Sequence, residues 1–229
     1  MRISPPCTAC LCAAIVFLLP AIVVGLSPAE AKQGFQPLFD GKSTTGWYLV
    51  KPERAKGEWV AEDGCLTTKG RPWELATEKV YGDFELRFEW KLAPGGNSGV
   101  LYRVVKGTHP PTSGPEYQLL DNERHGADQV ATRKTAAAYA IYAPERDATK
   151  PAGEWNTARI IVRGNHVEHW LNGERVLAFE MNTPEWNALV AKSKFAKYPR
   201  FAKAREGHIV LQDHASPVWF RNLRIREIR

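Results

Sequence analysis

The side chains that could act on a substrate are spread along extended segments rather than gathered in one short motif. In Glu116-Tyr117-Gln118-Leu119-Leu120, strand side chains alternate with period two, so Glu116 and Gln118 share one face and Tyr117 and Leu119 the other. If the aromatic and leucine are core, the carboxyl and amide line a cleft suited to acid/base work; otherwise they form an ordinary solvated face. Asn97-Ser98-Gly99 follows two glycines and enters a strand, either as a plain turn or as a place where backbone and amide approach a ligand closely. Arg103 could fork onto a carboxylate or sugar hydroxyls, or project from its strand into water. His214, in Gln212-Asp213-His214 ahead of Ser216-Pro217, lies at a strand end and reads equally as functional or structural. His166 and His169 fall on opposite faces of one strand, which argues against a shared metal ion. No nucleophile elbow, phosphate-binding loop, dinucleotide fingerprint or paired Cys/His metal spacing occurs. Of the tryptophans, including Trp47, Trp59, Trp73 and Trp155, most belong to a core and some could serve as sugar-stacking platforms.

The elements that must position these groups are strands. Phe84 to Leu92 alternates apolar and charged residues over nine positions, with one face core and the other wet or ligand-facing. Pro94-Gly95-Gly96-Asn97 turns the chain into a strand from Val100 to Val105, and further strands are expected at Glu116 to Leu120 and Ala137 to Ala143. Ala158 to Arg163, His166 to Leu171 and Arg175 to Phe179, joined by Gly164-Asn165 and Asn172-Gly173 turns, form a meander. Thr183-Pro184-Glu185 opens a helix running to about Ser193, with an N-cap threonine and an N1 proline. His208 to Gln212 and Val218 to Ile228 close the chain. Many short strands, frequent turns and one helix predict an all-β, two-sheet antiparallel jelly-roll sandwich with a concave polar face.

The N-terminus carries Arg2, an apolar stretch from Leu11 to Leu26 and an Ala29-Glu30-Ala31 ending, the pattern of a signal peptide spanning 1–31 and cut after Ala31. Residues 32–229 then form a single domain, exported to the periplasm or beyond the cell, with no second apolar segment to hold it at a membrane. Cys7, Cys10 and Cys12 all fall within the 1–31 leader, leaving Cys65 unpaired and buried, so the mature domain rests on its core rather than on a disulfide. The formal charge is +6, concentrated in Lys192, Lys194, Lys197, Arg200, Lys203 and Arg205. Phe195, Tyr198 and Phe201 are interleaved there, which indicates a packed segment with a solvated face rather than a nucleic-acid site.

Several stretches together resemble the 3-keto-disaccharide hydrolase domain family: Leu38-Phe39-Asp40-Gly41-Lys42 with Gly46-Trp47, Tyr81-Gly82-Asp83-Phe84, Gly95-Gly96-Asn97-Ser98-Gly99, Glu116-Tyr117-Gln118-Leu119-Leu120-Asp121, Gly153-Glu154-Trp155-Asn156, Trp170-Leu171-Asn172-Gly173, and Leu211-Gln212-Asp213-His214 leading to Phe220-Arg221-Asn222. The resemblance runs from about Phe35 to Ile228. It implies a concanavalin A-like lectin/glucanase fold, export, and action on 3-keto glycosides, small carbohydrates.

A ketone at C3 acidifies the C2 proton, so a base can remove it while the C1 oxygen leaves; hydration of the resulting enone completes a net hydrolysis. One carboxylate could serve, unlike the two that ordinary glycosidases place about the anomeric carbon. With the resemblance, Glu116 is assigned as general acid/base, Gln118, Asn97 and Arg103 orient hydroxyls or polarise the ketone, and His214 and Gln212 complete the pocket. Tyr139 and Asp121 stand behind them as substrate-binding candidates. No cofactor is indicated, and no ligand cluster demands a divalent cation at the ketone. The competing reading is a non-catalytic carbohydrate-binding module, since fold does not fix function. A conventional glycosidase acting on unoxidised sugars would need a second carboxylate facing Glu116.

Overall fold

The computed structural model describes residues 25–126 and 130–228, so most of the apolar leader stretch lies outside the described residues. The strands, in chain order, are β1 (Gln36–Pro37), β2 (Trp47–Leu49), β3 (Lys56–Glu62), β4 (Cys65–Arg71), β5 (Leu75–Thr77), β6 (Phe84–Leu92), β7 (Asn97–Val104), β8 (Glu116–Leu120), β9 (Asn156–Arg163), β10 (His166–Leu171), β11 (Glu174–Glu180), β12 (His208–Leu211) and β13 (Val218–Glu227). They form two antiparallel sheets. The larger runs β11-β10-β9-β6-β13-β4-β3 with β1 added to β13; the smaller runs β2-β5-β12-β7-β8.

Between the sheets, Phe84, Leu86, Phe88, Trp90 and Leu92 meet Val100, Tyr102, Tyr117, Leu119, Ile209 and Leu211, all buried. Phe88 and Tyr117 pack edge to face at 5.9 Å, which couples the layers directly beneath the Glu116 strand. Residues of opposite parity leave the core. On the outer face of the small sheet, Ala76, Leu101, Val104 and Val210 form a second apolar patch beside which the polar groups of the site are set.

Helix α2 (Pro184–Lys192) is capped by Thr183, whose hydroxyl accepts from Trp186 N as expected. Its Trp186 ring stacks between Phe179 of β11 and Phe201, and Phe201 stacks on Phe195 at 4.0 Å. This column fixes the basic segment after the helix. Cys65 is buried and free. His169 is sealed in the core between Tyr102 Oη and Ala136 O, whereas His166 lies on the other face beside Glu180, so the two do not share a site.

One predicted strand is absent. Ala137 to Ala143 folds as turns, with left-handed backbone at Ala136 and Ala140 (φ 67° and 60°) and only isolated bridges to Tyr117 and within itself. The segment does bond the edge of β8, through Ala136 N to Gln118 O, Gln118 N to Ala137 O and Tyr139 N to Glu116 O, while the Thr135 hydroxyl takes the N–H and C=O of Leu120. The left-handed residues break it into turns before a continuous ladder can form. The sequence reading also passed over β2 to β5. These are short or only weakly alternating, and β5 is buried throughout.

The short helix α1 (Pro28–Lys32) places Glu30 against the outer face of the large sheet, 2.6 Å from Arg224 Nε and 3.4 Å from Arg87, so this pairing straddles the expected cut after Ala31. A part-buried pair of this kind contributes about 1 kcal/mol. A chain beginning at Lys32 is therefore expected to melt about 2–4 °C below one beginning at Gly25, as read by differential scanning calorimetry.

Candidate active site

The site is one cross-strand row on the outer face of the small sheet. Leu211 pairs with Leu75 and with Val100, so the next residue, Gln212, stands beside Glu74 on one side and Gly99 on the other. Gln212 N donates to Gly99 O at 2.9 Å, and Gly99 pairs with Gln118. Directly cross-strand residues share a face, so Glu74, Gln212, Gly99 and Gln118 lie in line. Glu116, one pleat along β8, folds its side chain into the row above Gly99. A Cβ at position 99 would stand 2.9 Å from the Glu116 carboxyl carbon and closer still to Oε1. The missing side chain is the seat of the carboxyl. Gln118 Nε2 donates to Asn97 Oδ1 at 3.3 Å and extends the row to the start of β7.

Two cavities open on this row. The first, about 360 Å³, is lined by Glu74, His109, Lys194, Tyr198, Gln212 and His214. The second, about 200 Å³, is lined by Asn97, Gln118, His125, Arg133 and Tyr139. The Lys194 ammonium sits 4.1 Å above the Tyr139 ring, so the side chains of the two lobes meet over the row, and Tyr139 N donates to Glu116 O.

Electrostatics single out Glu116. It is 6% exposed, and burial pushes its carboxyl up to about 8, with the Lys194 charge and a Gln212 hydrogen bond pulling back and Glu74 pushing further up. Near neutrality it is a carboxylic acid. Glu74 is equally enclosed, and burial together with Asp213 raises it as well. Burial, with Lys51 and Arg54 nearby, lowers His109 and keeps its imidazole neutral.

Of the predicted site residues, Glu116, Gln118, Asn97, Gln212 and Tyr139 are brought together, and His214 joins them as an exposed rim residue. Two are not. Arg103 is 2% exposed and clamps Gly82 O, Gly164 O and Asp83 Oδ1 at the far end of β7, where its own left-handed backbone (φ 53°) turns it away from the row. Asp121, at the opposite end of β8 from Glu116, accepts from Gly95 N and Arg124 N, holding the β6–β7 turn to its own loop, and lines a different crease with Asn122 and Asp147. Both are structural. Sequence reasoning missed Glu74, because β5 was not recognised, and placed Lys194 on a solvated face. The aromatic residues interleaved with the basic run were the signal that this segment is held in place. Among the described residues no cluster of three or more His, Cys, Asp or Glu is arranged to hold a metal ion.

Residues 34–226 match the family described as the 3-keto-alpha-glucoside-1,2-lyase-like domain. The chain belongs to this family. A 3-keto-disaccharide hydrolase of Bacteroides thetaiotaomicron is 35% identical over 232 residues, spanning 87% of this chain and 80% of that protein. A candidate glycosyl hydrolase of Parabacteroides distasonis, known from its crystal structure, superposes with a TM-score of 0.80 at 32% identity, covering 90% of this chain and 99% of that one. The CBM66 carbohydrate-binding module of Bacillus subtilis shares the fold alone, at a TM-score of 0.51 and 12% identity, over 80% of this chain and 96% of the module. Membership in the 3-keto-alpha-glucoside-1,2-lyase-like family, with relatives described as hydrolases, agrees with the resemblance carried by the sequence motifs, and the two-sheet sandwich is the fold it implied.

The row makes Gly99 a sensitive position in this family member. Gly99→Ala is expected to displace the Glu116 carboxyl and to lower kcat/KM by roughly 100-fold, the order that a misplacement of about 1 Å produces. The added methyl should cost about 1–3 kcal/mol of stability, measurable by urea denaturation, and leave the sandwich folded.

Proposed function

We propose that the protein hydrolyses 3-keto glycosides, disaccharides among them, by elimination and hydration, with Glu116 as the acid/base group. The observation that carries this reading is a buried carboxyl, protonated near neutrality, set between two polar lobes of a family whose description and relatives concern 3-keto glycosides. Two lobes flanking one carboxyl suit the two rings of a disaccharide, with the scissile bond over Gly99.

The chemistry follows from the substrate. As the C2 proton leaves, electrons flow toward the C3 oxygen, and the Lys194 ammonium is placed to offset the charge that develops there. Glu116 gives its proton to the departing C1 oxygen, and in the second half takes a proton from the water that adds to C1. Gln212 orients the carboxyl; Gln118, Asn97 and Tyr139 offer hydrogen bonds to ring hydroxyls in the smaller lobe. The protein is also proposed to be exported under the direction of its Leu11 to Leu26 stretch, with the sandwich as its working domain.

The test is chromatography of sugars released from 3-keto-trehalose and from its unoxidised parent. Cleavage of the keto sugar alone is expected, and Glu116→Gln should lower it by roughly 10²–10⁴-fold. Saturable binding without product from either sugar would favour a carbohydrate-binding module instead, and equal cleavage of both would favour a conventional glycosidase.

The pH dependence carries a sign. Glu116 must be protonated to act as the acid, so the alkaline limb of kcat/KM should fall as pH rises through about 8. A carboxyl raised on folding binds more protons folded than unfolded between its ordinary value and about 8, so its contribution to stability is lost as pH rises across that window. Glu116→Gln should consequently melt no lower than the parent at pH 8, unlike removal of a paired structural carboxylate. Because the Lys194 charge pulls the Glu116 carboxyl down, Lys194→Met should move the alkaline limb to higher pH while lowering kcat, as a full pH–rate profile would show.

A further inference from the structure

We propose that Glu74 is the base that removes the C2 proton, paired with Glu116 across Gln212. This rests on the keto-glycoside reading above and supplies the group that reading leaves unassigned.

Glu74 is 6% exposed and lines the larger lobe, and among the described residues its Oε2 has no hydrogen-bond partner. A buried carboxylate oxygen left unbonded is costly and rare in a folded protein. Its position is built. Trp73 takes a left-handed backbone (φ 75°), a strained state for a bulky residue, and is pinned at N by Asp213 Oδ2 and at O by Trp59 Nε1. Val50 N holds Glu74 O at 3.0 Å. The strained residue and its pins aim the next side chain at the row rather than at water.

The register places Glu74 and Gly99 on either side of the Gln212 strand, so the two backbones stand roughly 10 Å apart with both carboxyls reaching inward. One flank of a bound ring can face each carboxyl. The charged and titratable groups facing Glu74 are Asp213 on the loop after β12, Lys51 after β2, Lys194 and Lys197 after α2, and His109 and His214 at the rim. Burial raises both carboxyls, but at Glu74 a backbone hydrogen bond and the Lys51 charge pull back against it, whereas burial carries Glu116 up to about 8. Two carboxyls whose surroundings separate their protonation states divide into a base and an acid.

The electron count closes. The Glu74 carboxylate takes the C2 proton, the C2–H pair becomes the C1=C2 bond, and the C1–O bond breaks with its pair on the leaving oxygen, which receives the Glu116 proton. In hydration, water adds to C1 as the Glu116 carboxylate takes its proton, and the Glu74 acid returns a proton to C2. Both groups end as they began, and no external oxidant or reductant is needed.

The test separates proton abstraction from bond cleavage. 1,5-Anhydro-3-ketoglucitol has no leaving group, so exchange of its C2 hydrogen in deuterium oxide, followed by NMR, reports the base alone. Wild type and Glu116→Gln should exchange, and Glu74→Gln should exchange roughly 10²–10⁴-fold more slowly. With the 3-keto glucoside of 4-nitrophenol, whose leaving group needs no acid, first-turnover release of 4-nitrophenol should be far faster in Glu116→Gln than in Glu74→Gln, although the later hydration, which also uses Glu116, slows in the former. Calorimetric binding of the anhydroketone and an unchanged melting temperature verify that Glu74→Gln is folded, and Glu74→Asp should restore part of the exchange. Exchange at the wild-type rate in Glu74→Gln overturns the proposal. Wild-type exchange without cleavage of any keto glycoside would leave Glu74 as the base and sink the hydrolase reading; neither exchange nor cleavage in the wild type would sink both.

Discussion

The carboxyl of Glu116 occupies the volume that any side chain at position 99 would fill, and the site is arranged around keeping it there. A glycine within a strand weakens the strand by roughly 0.5–1 kcal/mol. Here the loss admits a carboxyl between β7 and β12, out of water and within reach of Gln212. The neighbouring choices follow from that one. Tyr117 and Leu119 must be core so that Glu116 and Gln118 face outward, and the turns from Thr135 to Tyr142 must cover the free edge of β8 without adding a strand that would bury the cleft.

The scaffold tolerates this because its other obligations are met. Along the outer face of the large sheet, Glu85 is fully buried yet contacts Arg87, Arg159 and Arg226 at 2.8, 2.6 and 2.6 Å. Arg103 finds three acceptors, and Asp121 satisfies two backbone N–H groups at a turn. These buried charges are thus paired, as stable folds require. The aromatic column through Trp186 serves differently: it spends apolar area on fixing a loop, and that loop delivers Lys194.

Much of this was legible in the sequence where local pattern and tertiary role coincide. Phe84 to Leu92 alternates because one face meets the core and the other carries half-buried charged residues, and Glu116 to Leu120 reads correctly because its polar and apolar residues also fall on opposite faces, although all five are buried. Thr183-Pro184 marks a helix start by chemistry internal to the helix. Legibility fails where a distant partner decides. Arg103 reads as a ligand fork because its acceptors, at positions 82, 83 and 164, are remote in sequence. Leu75 to Thr77 is too short and too uniformly buried to show a period, so Glu74 had no frame in which to be noticed. Ala137 to Ala143 has strand composition and its first residues bond the edge of β8, yet left-handed backbone at Ala136 and Ala140 breaks it into turns, which composition does not reveal. Lys194 belongs to a basic run, and nothing local distinguishes the lysine above Tyr139 from those in solvent.

The same fold carries carbohydrate-binding modules, so the sandwich alone does not separate binding from chemistry. Two buried glutamates of this chain bear on that difference. Glu85, surrounded by arginines, is held below the ordinary carboxyl range although burial opposes it, because the paired charges outweigh the lost water. Glu116, also buried, goes the other way: one lysine and one amide do not offset its desolvation. A fold able to neutralise Glu85 so fully could have neutralised Glu116, and a surface that only binds sugars gains nothing by leaving it unpaired, since hydroxyls are met equally well by satisfied amides. An unpaired, desolvated carboxyl lowers stability, and carboxyls raised in this way cluster at sites where a proton changes hands near neutral pH. That asymmetry between two glutamates of one domain is the physical ground on which chemistry, and not binding alone, is proposed for the face that carries Glu116.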